Sequence, residues 1–223
     1  MKVYDLSHPI SGSMPFYPGA FPPVVTGQYT IENDGFAEKK ITLLTHTGTH
    51  LDAPSHILNG STAVDQIPAG QFIGRASVLD FTGFNTRAIG PSELEPHRRA
   101  VEKSNYVILK TGWSRHWGRD DYFKGYPVLT PEGAVWITGF DLKGLGVDAV
   151  SVDEAGSAEY PVHKILLKRG LVIVENLANL DVLPGGPLIF CCFPLKIESS
   201  DGSPVRAVAF TEPHHPAESS TQR

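Results

Sequence analysis

The chain has only two cysteines, and they are neighbours: Cys191 and Cys192 inside Leu188-Ile189-Phe190-Cys191-Cys192-Phe193. Adjacent strand residues point to opposite faces, and no spaced second pair exists, so a disulfide framework and a zinc knuckle are both excluded. The pair reads as reduced core residues. No apolar run reaches the roughly 18 residues of a membrane-spanning helix, so no membrane partner is expected. Clustered basic charge is also missing. Formal net charge is -5, and the densest basic stretch, His97-Arg98-Arg99 followed by Lys103, fits the solvated face of a helix. A nucleic-acid surface, whose affinity comes mainly from clustered Lys and Arg, is therefore not expected. No Gly-x-Ser-x-Gly elbow is present to carry a serine nucleophile. The opening Met1-Lys2-Val3-Tyr4-Asp5-Leu6 is strand-like and has no apolar leader core, which makes a cytoplasmic protein the expectation.

Glycine and proline are plentiful, 22 and 18 in 223 residues, and favour turns and shaped loops over a helical bundle. A chain of this size buries roughly 70–75% of its unfolded surface, enough for a core without staples. The first 35 residues, with Pro15-Phe16-Tyr17-Pro18-Gly19 and Phe21-Pro22-Pro23, read as a loop or extended arm. Strands are predicted at 37–45, 75–81, 105–110, 147–152, 171–175, 187–193 and 204–210. A polar helical stretch opens at Pro91-Ser92-Glu93-Leu94 and runs to about Lys103, with Pro96 as an interruption. Thr130-Pro131-Glu132 offers an N-cap hydroxyl and Pro at the first helical position. Pro161 to Arg169 carries Val162, Ile165 and Leu166 on one stripe, with Gly170 as the stop. Helices alternating with strands imply an α/β layered fold with a mixed sheet. One domain is expected over 1–212. The polar tail 213–223, with His214-His215, is expected to be disordered.

The chemistry is concentrated in His46-Thr47-Gly48-Thr49-His50-Leu51-Asp52-Ala53-Pro54-Ser55-His56. His46, His50, Asp52 and His56 are separated by even numbers, so an extended stretch would turn all four one way. Gly48 allows a kink and Pro54 stiffens the exit. Imidazole nitrogens and a carboxylate oxygen suit zinc, manganese or iron. Downstream, Ser151-Val152-Asp153 ends a strand, His163 sits on a helix and Glu175 closes the apolar strand Leu171–Val174. Glu175 follows four apolar residues and so is expected to end inside. Phe16, Tyr17, Phe21 and Trp113 are candidates for an aromatic substrate wall.

The segment HTGTHLDAPSH resembles the signature of the cyclase family, which includes bacterial kynurenine formamidases and isatin hydrolases. The resemblance runs from Val3 to Phe210 and takes in Asp5-Leu6-Ser7-His8-Pro9-Ile10, Thr111-Gly112-Trp113, Ser151-Val152-Asp153, Glu175-Asn176-Leu177 and Pro194-Leu195-Lys196-Ile197. It implies a swivelling β/β/α fold, a homodimer or homotetramer, and N-terminal residues that help close a neighbour's site. It implies metal binding by His46, His50 and Asp52, with His56 as acid/base. In the formamidase branch a second ion is bridged by the same aspartate and held by a later His and Glu, which match His163 and Glu175. Around His163 the chain reads Glu159-Tyr160-Pro161-Val162-His163-Lys164, which departs from the formamidases.

The expected activity is hydrolysis of a small amide, formamide or cyclic imide by water activated on one or two Zn or Mn ions. A non-catalytic metal protein and a metal-dependent lyase or dehydratase are the alternatives.

Overall fold

The computed structural model describes residues 1–84 and 87–211. Its centre is built from short strands that are apolar on both faces. Tyr106, Val107, Ile108 and Leu109 are all buried, with Tyr106 and Ile108 packing into one hydrophobic cluster and Val107 and Leu109 into another. The strand Val172–Glu175 divides in the same way, Val172 and Val174 to the first cluster and Ile173 to the second. This two-residue alternation between two cores marks a sheet covered on both sides.

Among the described residues, nine strands form that sheet. The four central ones, Ile73–Asp80, Tyr106–Lys110, Gly144–Val147 and Val172–Glu175, are parallel. Antiparallel strands extend both ends. Leu188–Cys191, Val208–Thr211 and Val3–Asp5 lie beyond Ile73–Asp80, and His50–Asp52 and Gly202–Pro204 lie beyond Val172–Glu175. The helices Pro131–Ile137 and Pro161–Lys168 supply Ala134, Ile137, Val162 and Leu166 to the second cluster. Thr130 caps the first of them by accepting from the Gly133 amide, as the hydroxyl-then-proline pattern predicts. The result is a single mixed α/β fold, as the sequence implies.

Several predicted elements are corrected. The strand Glu38–Thr42 does not join the large sheet. It pairs with Val24–Tyr29, inside the expected arm, as an exposed two-stranded ribbon. Glu38, Lys39 and Lys40 leave it too polar for a position buried on both faces. The strand predicted at 147–152 lies earlier, at Gly144–Val147. A Cβ at Gly144 would sit 2.7 Å from the Val172 carbonyl oxygen, so the glycine marks close strand contact rather than a turn. The following Asp148 leaves the sheet and accepts from the Thr111 amide and hydroxyl and from the Gly112 amide. The helix at 91–103 is broken into Pro91–Leu94, a 3-10 turn Glu95–His97 and Arg98–Val101, because Pro96 has no amide to donate. The predicted strand 204–210 is split into Gly202–Pro204 and Val208–Thr211 on opposite margins of the sheet. The tail 213–223 lies outside the described residues.

Candidate metal centre

His50 and Asp52 alternate with Leu51 on one strand, so both project from the same sheet face. Antiparallel register sets Glu175 directly opposite His50. That face is the one covered by Pro161–Lys168, and the helix brings His163 down onto it. All four side chains are buried. His50 Nε2 stands 3.3 Å from Asp52 Oδ1 and 3.5 Å from Glu175 Oε2. His163 Nε2 stands 3.6 Å from Asp52 Oδ2 and 3.5 Å from Glu175 Oε1.

His46 and His56 arrive from either side of the strand. The even spacing suggests one extended stretch, but only His50–Asp52 is a strand. Gly48, at φ 67, turns the chain before it, and the 3-10 turn Pro54–His56 turns it afterwards. The side chains nevertheless converge: the His46 ring lies 5.1 Å from that of His50 and 3.8 Å from that of His56. His46 Nδ1 meets Asp52 Oδ1 at 2.7 Å, and its Nε2 meets Asp201 Oδ2 at 3.0 Å. His56 Nδ1 is 3.5 Å from the same Asp201 oxygen.

Two ligand groups result, His46–Asp52–His56 and His50–Asp52–Glu175, each with donor atoms within 4.8 Å of one another, and Asp52 is common to both. The hydrogen bonds favour a cation. His50 Nδ1 is 2.8 Å from the Gly48 carbonyl, which can only accept, and His163 Nδ1 is 2.7 Å from Asp153 Oδ2. Those bonds fix the protons on Nδ1 and turn each Nε2 lone pair toward carboxylate oxygens. Lone pairs facing carboxylates repel unless a positive charge stands between them. Asp52 Oδ2 is buried and makes no hydrogen bond, although a buried acceptor is normally paired. The residues therefore fit a divalent ion.

Without an ion, protons take up part of that role. Burial pulls the His163 imidazole down, but Asp153, Asp52 and Glu175 outweigh it and push it up to about 12. His46 is likewise opposed by burial yet raised to about 9 by Asp52 and Asp201. Burial acts to raise the Asp52 carboxyl, but the surrounding imidazoles hold it well below its ordinary value. His56 moves the other way, lowered chiefly by burial, which favours its neutral form.

The cluster forms the floor of a cavity of about 260 Å³. Phe16, Tyr17 and Phe21 line it, with Trp117, Phe123 and Tyr126 completing much of the wall. Trp113 is not among the lining residues. Its indole donates to the Tyr122 carbonyl and stacks on His116, while Trp117 lines the cavity and stacks on His8 at 3.9 Å. The 3-10 turn Trp113–His116 separates the two indoles, and the sequence gives no sign of which one faces inward. Asp201 and Trp117 are also site residues that the sequence does not single out, and Asp153, which it places only at a strand end, is the carboxylate on His163 Nδ1. Asp201 sits in an ordinary turn sequence, Ser199-Ser200-Asp201-Gly202, far along the chain.

Fold and cluster together define a class: a mixed α/β protein with a candidate divalent-metal centre under an aromatic cavity. The particular family follows from comparison. The family model described as "Putative cyclase" matches residues 4–154, and the chain belongs to that cyclase family. It is 33% identical to a kynurenine formamidase of Bacillus mycoides over 92% of this chain and 95% of the relative. The structure of isatin hydrolase A from Labrenzia aggregata bound to benzyl benzoate superimposes with a TM-score of 0.83, at 27% identity over 93% of both chains. A potential metal-dependent hydrolase with cyclase activity gives a TM-score of 0.79 at 28% identity, covering 95% of this chain and 99% of that one.

Proposed function

We propose that this protein is a metal-dependent hydrolase that cleaves the C–N bond of a small amide, formamide or cyclic imide. The observation that carries the reading is Asp52, a buried carboxylate shared by two ligand groups, with one oxygen unpaired. The relatives named kynurenine formamidase and isatin hydrolase A support the same chemistry. His46, His50 and Asp52 would hold one ion, and His163 and Glu175, together with Asp52, would hold a second. Zinc and manganese both suit this nitrogen and oxygen ligand set.

A bound divalent ion would supply a Lewis acid for the carbonyl oxygen and acidify water toward neutral pH. The chain's own residues do the rest. Aromatic side chains such as Phe16 and Tyr17 hold the substrate against the cluster and keep bulk water out. His56 takes the proton of the attacking water on Nε2, the ring nitrogen that does not face Asp201. As oxygen bonds to the carbonyl carbon and the C–N bond breaks, the same nitrogen delivers that proton to the leaving amine. Such a role is typically worth roughly 10²–10⁴-fold in rate. Asp153 keeps the His163 proton on Nδ1.

We assign the protein to the cytoplasm and to a homodimer or homotetramer in which N-terminal residues help close a neighbouring site. Among the described residues no helix is long and apolar enough to cross a membrane. The test is turnover of formanilide and a cyclic imide by protein loaded with zinc or manganese, against the same protein after chelation. Hydrolysis that chelation removes and metal restores is expected. No hydrolysis of any amide, formamide or imide by the loaded protein would overturn the reading.

A further inference from the structure

The cavity lining contains no lysine and no arginine among the described residues. Apart from the cluster at the floor, its one acidic or basic side chain is Glu154, on the loop between Asp153 and the helix Pro161–Lys168. Among the described residues Glu154 has no side-chain hydrogen bond and no ion pair, unlike Asp153 next to it, whose carboxylate accepts from the Val162 and His163 amides and the His163 ring. Its exposed carboxylate is therefore available to a ligand.

The charge balance gives Glu154 its weight. Metal-binding imidazoles are neutral, so two divalent ions would balance the four carboxylates of the cluster, Asp52, Asp153, Glu175 and Asp201. Glu154 then remains as the uncompensated charge, and a single ion would leave the field more negative still. A cleft with low-dielectric aromatic walls focuses such a field on whatever enters it. A carboxylate-bearing substrate would find no cationic side chain here and would lose hydration without compensation.

Resting on the hydrolase reading, we propose that Glu154 sets charge selection, so that the site accepts aromatic amides that are neutral or carry a cationic substituent and disfavours those with a carboxylate. The aromatic wall accepts the ring, and a protonated amine pairs with Glu154 at the rim.

The test uses three formanilides with a hydroxymethyl, aminomethyl or carboxylate group in the para position. Each is assayed with the metal-loaded full chain and with Glu154→Gln. The expected cationic-to-anionic ratio of kcat/KM in the wild type is about tenfold or more, shrinking as salt screens the rim. Glu154→Gln is expected to cut that ratio at least about threefold, because one charge is removed while the ring contacts stay. If none of the three is hydrolysed, the hydrolase reading is judged separately, by the wider set of amides and imides. The same compounds are then intact ligands, and the ratio is read from their quenching of tryptophan fluorescence. A wild-type ratio near one or reversed, or one that Glu154→Gln leaves unchanged, would overturn the proposal.

Discussion

His50 and Glu175 face each other across two antiparallel strands, Glu175 in register with His50, their side chains 3.5 Å apart at Nε2 and Oε2. Residues so placed project from one sheet face. The strand carrying His50 also carries Asp52, and the helix after the loop of Asp153 lowers His163 onto the same face. A rigid sheet therefore sets most of the cluster geometry. His46 and His56, which come from the turns at either end of His50–Asp52, are the members held by loop backbone.

His56 is the cluster residue nearest to being free of structural duty. Replacing it with Ala is expected to lower kcat by roughly 10²–10⁴-fold while leaving metal content and thermal stability close to wild type. Steady-state kinetics and elemental analysis of the same sample check this. Loss of metal along with activity would show that His56 is a ligand in the His46–Asp52–His56 group.

Asp153 accepts from His163 Nδ1 at 2.7 Å and also binds the His163 and Val162 amides. Removing a carboxylate that orients a metal-bound imidazole typically costs about 10–100-fold in affinity. Asp153→Asn is therefore expected to weaken one metal equivalent by that factor and to spare the other. Competition with a chromophoric chelator measures it.

Gly202 lies on the strand beside His50–Asp52, and a Cβ there would stand 2.6 Å from His46 Cε1 and 2.8 Å from the Leu51 carbonyl oxygen. Overpacking of this kind typically costs about 1–3 kcal/mol. Gly202→Ala is expected to destabilise the fold by about that amount and to push the His46 ring off the cluster. Denaturant unfolding and metal titration read the two effects separately.

Asp148 is buried with three donors on its carboxylate. Burial raises its carboxyl above the ordinary value, and those hydrogen bonds offset part of the rise. Asp148→Ala strands the Thr111 and Gly112 amides, each costing about 1–3 kcal/mol when left unsatisfied in the interior. A loss of roughly 2–4 kcal/mol in urea unfolding is expected, with a smaller loss in Asp148→Asn, which keeps one acceptor oxygen.

Much of the candidate cluster was legible because it is local. His46, His50, Asp52 and His56 lie in one segment, and their even spacing pointed to convergence even though only three residues of the segment are strand. The central strands were legible because Tyr106–Lys110 and Val172–Glu175 are continuous apolar runs bounded by breakers. What escaped depends on contacts distant in sequence. Asp201 reaches His46 across 155 positions, and no local pattern marks it. Trp113 and Trp117 share a composition and differ only in which side of a short turn they occupy. The strand was expected at 147–152 rather than from Gly144 because the role of that glycine, room for the neighbouring strand, depends on the partner.

The central claim is that Asp52 joins two metal positions, and metal stoichiometry tests it most directly. Purified, tag-free protein reloaded with zinc or manganese is compared with His50→Ala and Glu175→Ala by elemental analysis. The account expects about two equivalents in the wild type, loss of one in Glu175→Ala and a deficit in His50→Ala. One equivalent untouched by Glu175→Ala would contradict the shared aspartate, and no metal even after reloading would contradict the metal centre itself.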